Sequence, residues 1–251
     1  MKARQEILAV LEKNGYPTDE KAQAQVQQLL ECLKDENKFA TLTQILAWFT
    51  EQKNRCATEI TEISLNDLQK WQVNKETGNI EHESGEFFTV MGVRISNSTQ
   101  REVFGWTQPM IKQKEGGILG ILCQPFEGIR HYLIYAKMEP GNMHKLQLSP
   151  TLQATYSNLK KAHGGKKPKF AEYFEDAENN PKVKVLYSQW LAEDGGRFYL
   201  KANKNMLVEI SEQEKIEVPS DYIWLTMYQI KQLLRYDNLV NPHLRSVIAH
   251  L

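Results

Sequence analysis

Cysteine is scarce in this chain of 251 residues: Cys32, Cys56 and Cys123 are odd in number, far apart and without CxxC spacing. That excludes a disulfide framework and a local zinc motif and fits free thiols in a reducing cytoplasm. The six histidines never form HxH or HxxxH pairs, so a metal site built on local spacing is not expected either. No apolar run approaches the ~20 residues of a spanning helix, and the opening MKARQEILAVLEK has no signal-peptide core, so no membrane association is expected. Net charge is also missing: Lys and Arg total 31, as do Asp and Glu, so no global field favours nucleic acid. No GxGxxG follows a strand pattern, which leaves no sign of a dinucleotide cofactor.

What is present divides at about residue 60. Residues 1–60 read as a helical extension. Ile7, Leu8, Val10 and Leu11 fall at helical spacing, and Asp19 to Lys34 is rich in helix formers behind a Pro17-Thr18-Asp19 start. A third amphipathic helix is expected over Thr43–Lys53, with Ile45, Leu46, Trp48 and Phe49 forming an apolar face in search of a partner. Residues 61–251 change texture. WQVNKETGNIEHESGEFFTVMGVRIS reads as short antiparallel strands joined by turns, and GGILGILCQPFEGIRHYLIYAKMEP as two apolar strands around Phe-Glu-Gly. Further strands are expected over Val183–Ala192, Gly196–Leu200 and Met206–Ile210, then helices over Leu225–Arg235 and Pro242–His250. The sum is an α+β domain, a mixed β-sheet with flanking helices behind an N-terminal helical extension.

The stretches TGNIEHESGEFFTVMGVRI, GWTQPMI, GGILGIL, AKMEPGN, QLSPTLQATYSN, NKNMLVEI and DNLVNPHLRSVIAHL follow one another in order between about Ser64 and Leu251. Together they resemble the NDP-hexose 2,3-dehydratase family, which acts on nucleotide-linked 4-keto-6-deoxyhexoses in deoxysugar biosynthesis. The resemblance implies a Nudix-like fold, a dTDP- or GDP-linked ketosugar as substrate, and a carbon-oxygen lyase that needs no cofactor. It also implies paired modules, so a single module points to a homodimer. The Nudix hydrolase signature REUxEExGU is missing; AEYFEDAEN at Ala171–Asn179 lacks its Arg-Glu pair and its closing Gly, so magnesium-dependent hydrolysis is not expected.

Elimination of the carbon 2 hydroxyl from a 4-keto sugar requires a base for the carbon 3 proton. It also requires a donor facing the enolate oxygen and an acid for the leaving hydroxyl. Lys137 and Glu139 stand two apart at a strand end, with side chains on one face, ahead of the turn Pro140-Gly141-Asn142. Glu139 is the expected base and Lys137 its orienter or the enolate's electrostatic partner; the competing reading is an ion pair that only holds the turn. Alternation puts Gln147, Ser149, Thr151 and Gln153 on one side of an extended segment, which suits sugar hydroxyls and diphosphate oxygens, or else a polar edge facing water. His82 and Tyr156 are alternative acids or bases, Tyr156 with a pKa that an adjacent cation would lower. Asn158, Arg197, Asn203, Asn205 and Trp106 complete the candidate substrate-binding set. Arg197 suits a diphosphate, Asn203 and Asn205 can equally be turn residues, and Trp106, Trp224 and Tyr222 can stack a base or fill core. Arg235, Asp237 and Asn241 read as a loop-pinning network. Rival functions are a non-catalytic nucleotide-sugar-binding module and a ketosugar isomerase sharing the enolate step.

Overall fold

The structure is a computed structural model that describes residues 2–159 and 166–250. Three helices lead: α1 (Lys2–Lys13), α2 (Glu20–Glu31) and α3 (Leu42–Arg55). Asp19 caps α2 by accepting from the Ala22 N–H, and Thr41 with Gln44 forms a capping box on α3. The expected apolar face of α3 is covered within the chain. Ile45 and Phe49 are buried in the same core as Leu225 and Ile230, each contributing about 1.5–3 kcal/mol of burial, and Trp48 donates to Ser220 O at 2.9 Å. That face therefore seeks no second copy. The expected division at residue 60 falls between α3 and the sheet whose core it shares.

A four-stranded antiparallel meander follows, β1 (Trp71–Val73), β2 (Ile80–His82), β3 (Thr89–Ile95) and β4 (Trp106–Lys112). The remaining strands build a seven-stranded mixed sheet. β5 (Gly117–Phe126) and β6 (Ile129–Met138) form its central hairpin, turned by Glu127 and Gly128, both with positive φ. β5 and β6 pair from Leu122–Leu133 to Phe126–Ile129 and then part. In the fork, β7 (Leu146–Ser149) pairs with β6 and β8 (Leu152–Thr155) with β5. Thr151 stands at the apex, where its hydroxyl accepts from the Leu122 N–H at 2.8 Å and donates to Leu133 O.

Beyond β8 come α4 (Tyr156–Leu159), β9 (Val183–Ala192), β10 (Ala202–Ile210), β11 (Tyr222–Leu225), α5 (Met227–Leu233) and α6 (Pro242–Ile248). β10 runs parallel to β5, with Asn205 opposite Leu119, and antiparallel to β9. The mixed sheet and flanking helices are those expected, with two local corrections. Leu225 ends a strand, because Thr226 and Gln229 form a capping box that starts α5 only at Met227. Gly196–Leu200 is not a strand. It is a turn whose Phe198 makes one isolated bridge to Ile111, tying the meander to the larger sheet. Residues 171–179 form only a short 3-10 turn, Ala171–Tyr173, followed by further turns.

The glycines of GGILGIL are contacts. A Cβ on Gly117 would stand 2.5 Å from Ala154 O, and one on Gly120 would stand 2.3 Å from the Phe174 ring, which is itself buried. The strands can lie this close only without side chains. Among the described residues no helix is long and apolar enough to cross a membrane.

Candidate functional site

Where β5 and β6 part, the sheet leaves a polar cleft of about 320 Å³. β6 brings Lys137 and, one step past its end, Glu139; β8 brings Gln153 and Thr155; α4 brings Asn158. The parallel pairing of β10 with β5 carries Asn203 and Lys201 to the opposite wall, the end of β9 adds Glu193, and α6 adds His243. A second cavity of about 460 Å³ shares Leu119, Glu193, Lys201, Asn203 and His243 and is otherwise lined by more apolar groups, among them Leu191, Phe198 and Pro242. The two are compartments of one groove, with Lys201 and His243 at their junction.

The polar groups are cross-linked. Lys137 Nζ pairs with Glu139 Oε1, which also accepts from Gln153 Nε2 at 3.1 Å. Asn241 Nδ2 reaches Ser149 Oγ at 2.8 Å and Gln153 Oε1 at 3.3 Å, while its Oδ1 caps α6. One asparagine thus ties β7, β8 and α6 together; of the expected loop-pinning network only Asn241 takes part, Arg235 and Asp237 being exposed. Across the groove, Glu193 Oε1 accepts from Asn203 Nδ2 and lies 3.9 Å from His243 Nδ1. Gln113 Oε1, in the cleft wall, is buried with no hydrogen-bond partner among the described residues, an acceptor turned to a ligand hydroxyl.

Electrostatics follow from partial burial. The His243 pKa lies below the ordinary histidine value, first because burial disfavours the cation and then because Lys201 and Lys137 repel it, with Glu193 and Glu139 opposing. Burial likewise lowers Lys201, and Glu193 opposes. Among the described residues no group of three or more His, Cys, Asp or Glu side chains is placed to hold a metal ion.

Lys137, Glu139, Gln153, Asn158 and Asn203 all line the cleft, and Asn205 lines the second compartment, where its amide donates to Asn203 O and accepts from Ser246 Oγ. The row Gln147, Ser149, Thr151 and Gln153 is broken, because the chain turns at Pro150-Thr151 and the residues divide between two strands on different partners. Gln147 is spent on Asn238 O, buried Ser149 on Gln147 O and Asn241, and buried Thr151 on the apex of the fork. Their hydrogen bonds belong to the fold. Tyr156 packs against the second hydrophobic core beside Trp190, and burial raises its pKa, the reverse of the lowering expected.

His82 and Trp106 stand in the meander. The His82 ring meets Ser84 Oγ at 2.8 Å amid Trp71 and Phe87, and Trp106 Nε1 donates to Gln108. Arg197 is exposed and paired with Asp194. Tyr222 and Trp224 are core residues. Sequence reasoning overlooked Gln113, Glu193, Lys201 and His243. The one available signal was Asn241-Pro242-His243, in which an N-cap and a Pro at the first helical position fix the following histidine in a helix's first turn.

The family model for NDP-hexose 2,3-dehydratase matches residues 42–251, from the start of α3. A dTDP-4-dehydro-6-deoxy-α-D-glucopyranose 2,3-dehydratase of Amycolatopsis orientalis is 41% identical over 214 residues, covering 82% of this chain and 44% of that protein. An enzyme of the same name from Saccharopolyspora spinosa is 40% identical over 213 residues, covering 85% and 43%. The chain belongs to the NDP-hexose 2,3-dehydratase family, and it spans under half the length of the curated relatives it matches. Among solved structures, an ADP compounds hydrolase aligns with TM-score 0.35 and 9% identity over 76% of this chain and 92% of its own. The Nudix hydrolase RenU of M. Smegmatis aligns with TM-score 0.31 and 16% identity over 55% and 88%.

Proposed function

We propose that this chain eliminates the carbon 2 hydroxyl of a dTDP-linked 4-keto-6-deoxyhexose, the reaction named for its relatives. The reading rests on one observation: a chain of this family gathers Lys137, Glu139, Gln153, Asn203 and His243 around a single polar cleft. The ketosugar occupies that cleft, with Gln113, Gln153 and Asn158 toward its hydroxyls. The diphosphate passes Lys201, and the base lies in the more apolar compartment beside Phe198. Lys137, held by Glu139, faces the carbon 4 oxygen, where negative charge develops once the carbon 3 proton leaves. Two groups can take that proton, the Glu139 carboxylate and the His243 imidazole. The enol product relaxes to a 3,4-diketo-2,6-dideoxy sugar.

The reading includes a homodimer working with its thiols free in the cytoplasm. The test is incubation of the purified chain, with and without a chelator, with dTDP-4-keto-6-deoxyglucose, following loss of the carbon 2 hydroxyl by NMR beside light scattering. Turnover unaffected by the chelator, from a dimer, is expected. Binding without turnover would replace this reading with a non-catalytic sugar-nucleotide module, and carbon 3 exchange without loss of hydroxyl would replace it with an isomerase.

A further inference from the structure

We infer that His243, oriented by Glu193, takes the proton from carbon 3 of the bound sugar and hands it to the departing carbon 2 hydroxyl. The inference rests on the dehydratase reading above and assigns the base within it. His243 stands at the junction of the two compartments, the position a sugar linked to a diphosphate must straddle. Its Nδ1 faces Glu193 Oε1 at 3.9 Å, and Glu193 is itself anchored by the Asn203 amide. A proton on Nδ1 turned toward that carboxylate leaves the Nε2 lone pair for the ligand. Among the described residues neither ring nitrogen of His243 makes a hydrogen bond. Glu139 differs. Its Oε1 is already engaged, accepting from both Lys137 and Gln153.

The step balances within substrate and side chain. Nε2 takes the carbon 3 proton, and the electrons of the broken C–H bond enter the enolate, whose oxygen faces Lys137. The enolate's collapse forms the carbon 2–carbon 3 double bond and expels the carbon 2 oxygen. Nε2 gives that oxygen the same proton, so water leaves, the enol remains and the imidazole is neutral again. No oxidant or reductant enters.

Four charged groups face the ring: Glu193 after β9, Lys201 before β10, and Lys137 and Glu139 at the end of β6. Burial and the two lysines keep it neutral, ready to accept a proton at neutral pH. As pH falls through that lowered pKa, below the usual 6.5, the imidazole charges and kcat/KM falls with it.

The experiment compares His243→Asn, and His243→Gln in case Asn perturbs the helix start, with the wild-type chain on dTDP-4-keto-6-deoxyglucose. Carbon 3 exchange in deuterated water, product formation, sugar-nucleotide affinity and melting temperature are all followed. We expect both rates to fall about 100- to 10,000-fold. Affinity and melting temperature should hold, added imidazole should restore part of the rate, and the acid limb of kcat/KM should vanish from the variant while persisting in Glu139→Gln. A folded His243 variant within tenfold of wild type, or an acid limb lost in Glu139→Gln, overturns the assignment and leaves the dehydratase reading standing. A wild-type chain inert toward the sugar, in exchange and in turnover, overturns both.

Discussion

The four-stranded meander and the seven-stranded sheet each carry a histidine and tryptophans, and the fold uses them differently. In the meander strands only Met110 is buried, and polar side chains such as His82 and Trp106 bond to neighbours two residues away. In the larger sheet eight of the ten residues of β5 are buried, and several polar groups reach partners far along the chain, as Ser149 does to Asn241 and Gln147 to Asn238. A fork in a buried sheet forces polar groups to converge, because each needs a partner away from water. An exposed meander imposes no such demand. Polar side chains therefore collect where strands part inside the core and not wherever titratable residues occur.

The sharpest way to break this comparison is Lys137→Met. If Lys137 holds the enolate oxygen, the variant keeps the length of the stem and loses the charge, and product formation should fall about 100- to 1,000-fold with the fold intact. A steady-state assay beside a melting curve reads this, and turnover within fivefold of wild type would return the Lys137–Glu139 pair to a purely structural role.

A change at the fork's apex should act on stability. Thr151→Val is close in shape but leaves the Leu122 N–H and Leu133 carbonyl unpaired where β5 and β6 separate. At about 1–3 kcal/mol for each orphaned group, the expected loss is roughly 2–6 kcal/mol by denaturant unfolding. A loss below about 0.5 kcal/mol would mean that the hydroxyl does not hold the fork.

How much of this the chain spells out locally depends on separation along it. The β5–β6 hairpin is legible because its apolar strands and Glu127-Gly128 turn are contiguous, and α2 and α3 are legible from periodicity. Lys137, Glu139 and Gln153 were within reach for the same reason: one strand end and the segment after it carry them. Glu193, Lys201 and His243 join the cleft only through the parallel pairing of β10 with β5 and the docking of α6, which no local pattern encodes. The expected row from Gln147 to Gln153 failed at Pro150-Thr151, where alternation stops applying because the chain changes strand partner. Leu225 was read as helical because an apolar strand runs straight into an amphipathic helix. The Thr226–Gln229 capping box marked the boundary.

The smallest effect belongs to the meander's own histidine. His82 pairs with Ser84 Oγ, also accepts from the Ser84 N–H at 3.2 Å, and stands edge-on to Trp71 and Phe87. Those contacts shape a turn and an aromatic cluster, and His82 lines neither compartment of the groove. His82→Asn keeps a side chain able to accept from the Ser84 N–H and gives up the ring packing. That exchange should cost about 0.5–1.5 kcal/mol of stability, the scale of one aromatic contact. Turnover of the folded protein should stay within about twofold of wild type, with the acid limb of kcat/KM unmoved. The measurement is a pH–rate profile of His82→Asn beside one of His243→Asn. A shift of the acid limb in the His82 variant would show the meander entering the chemistry and would erase the division between the two sheets.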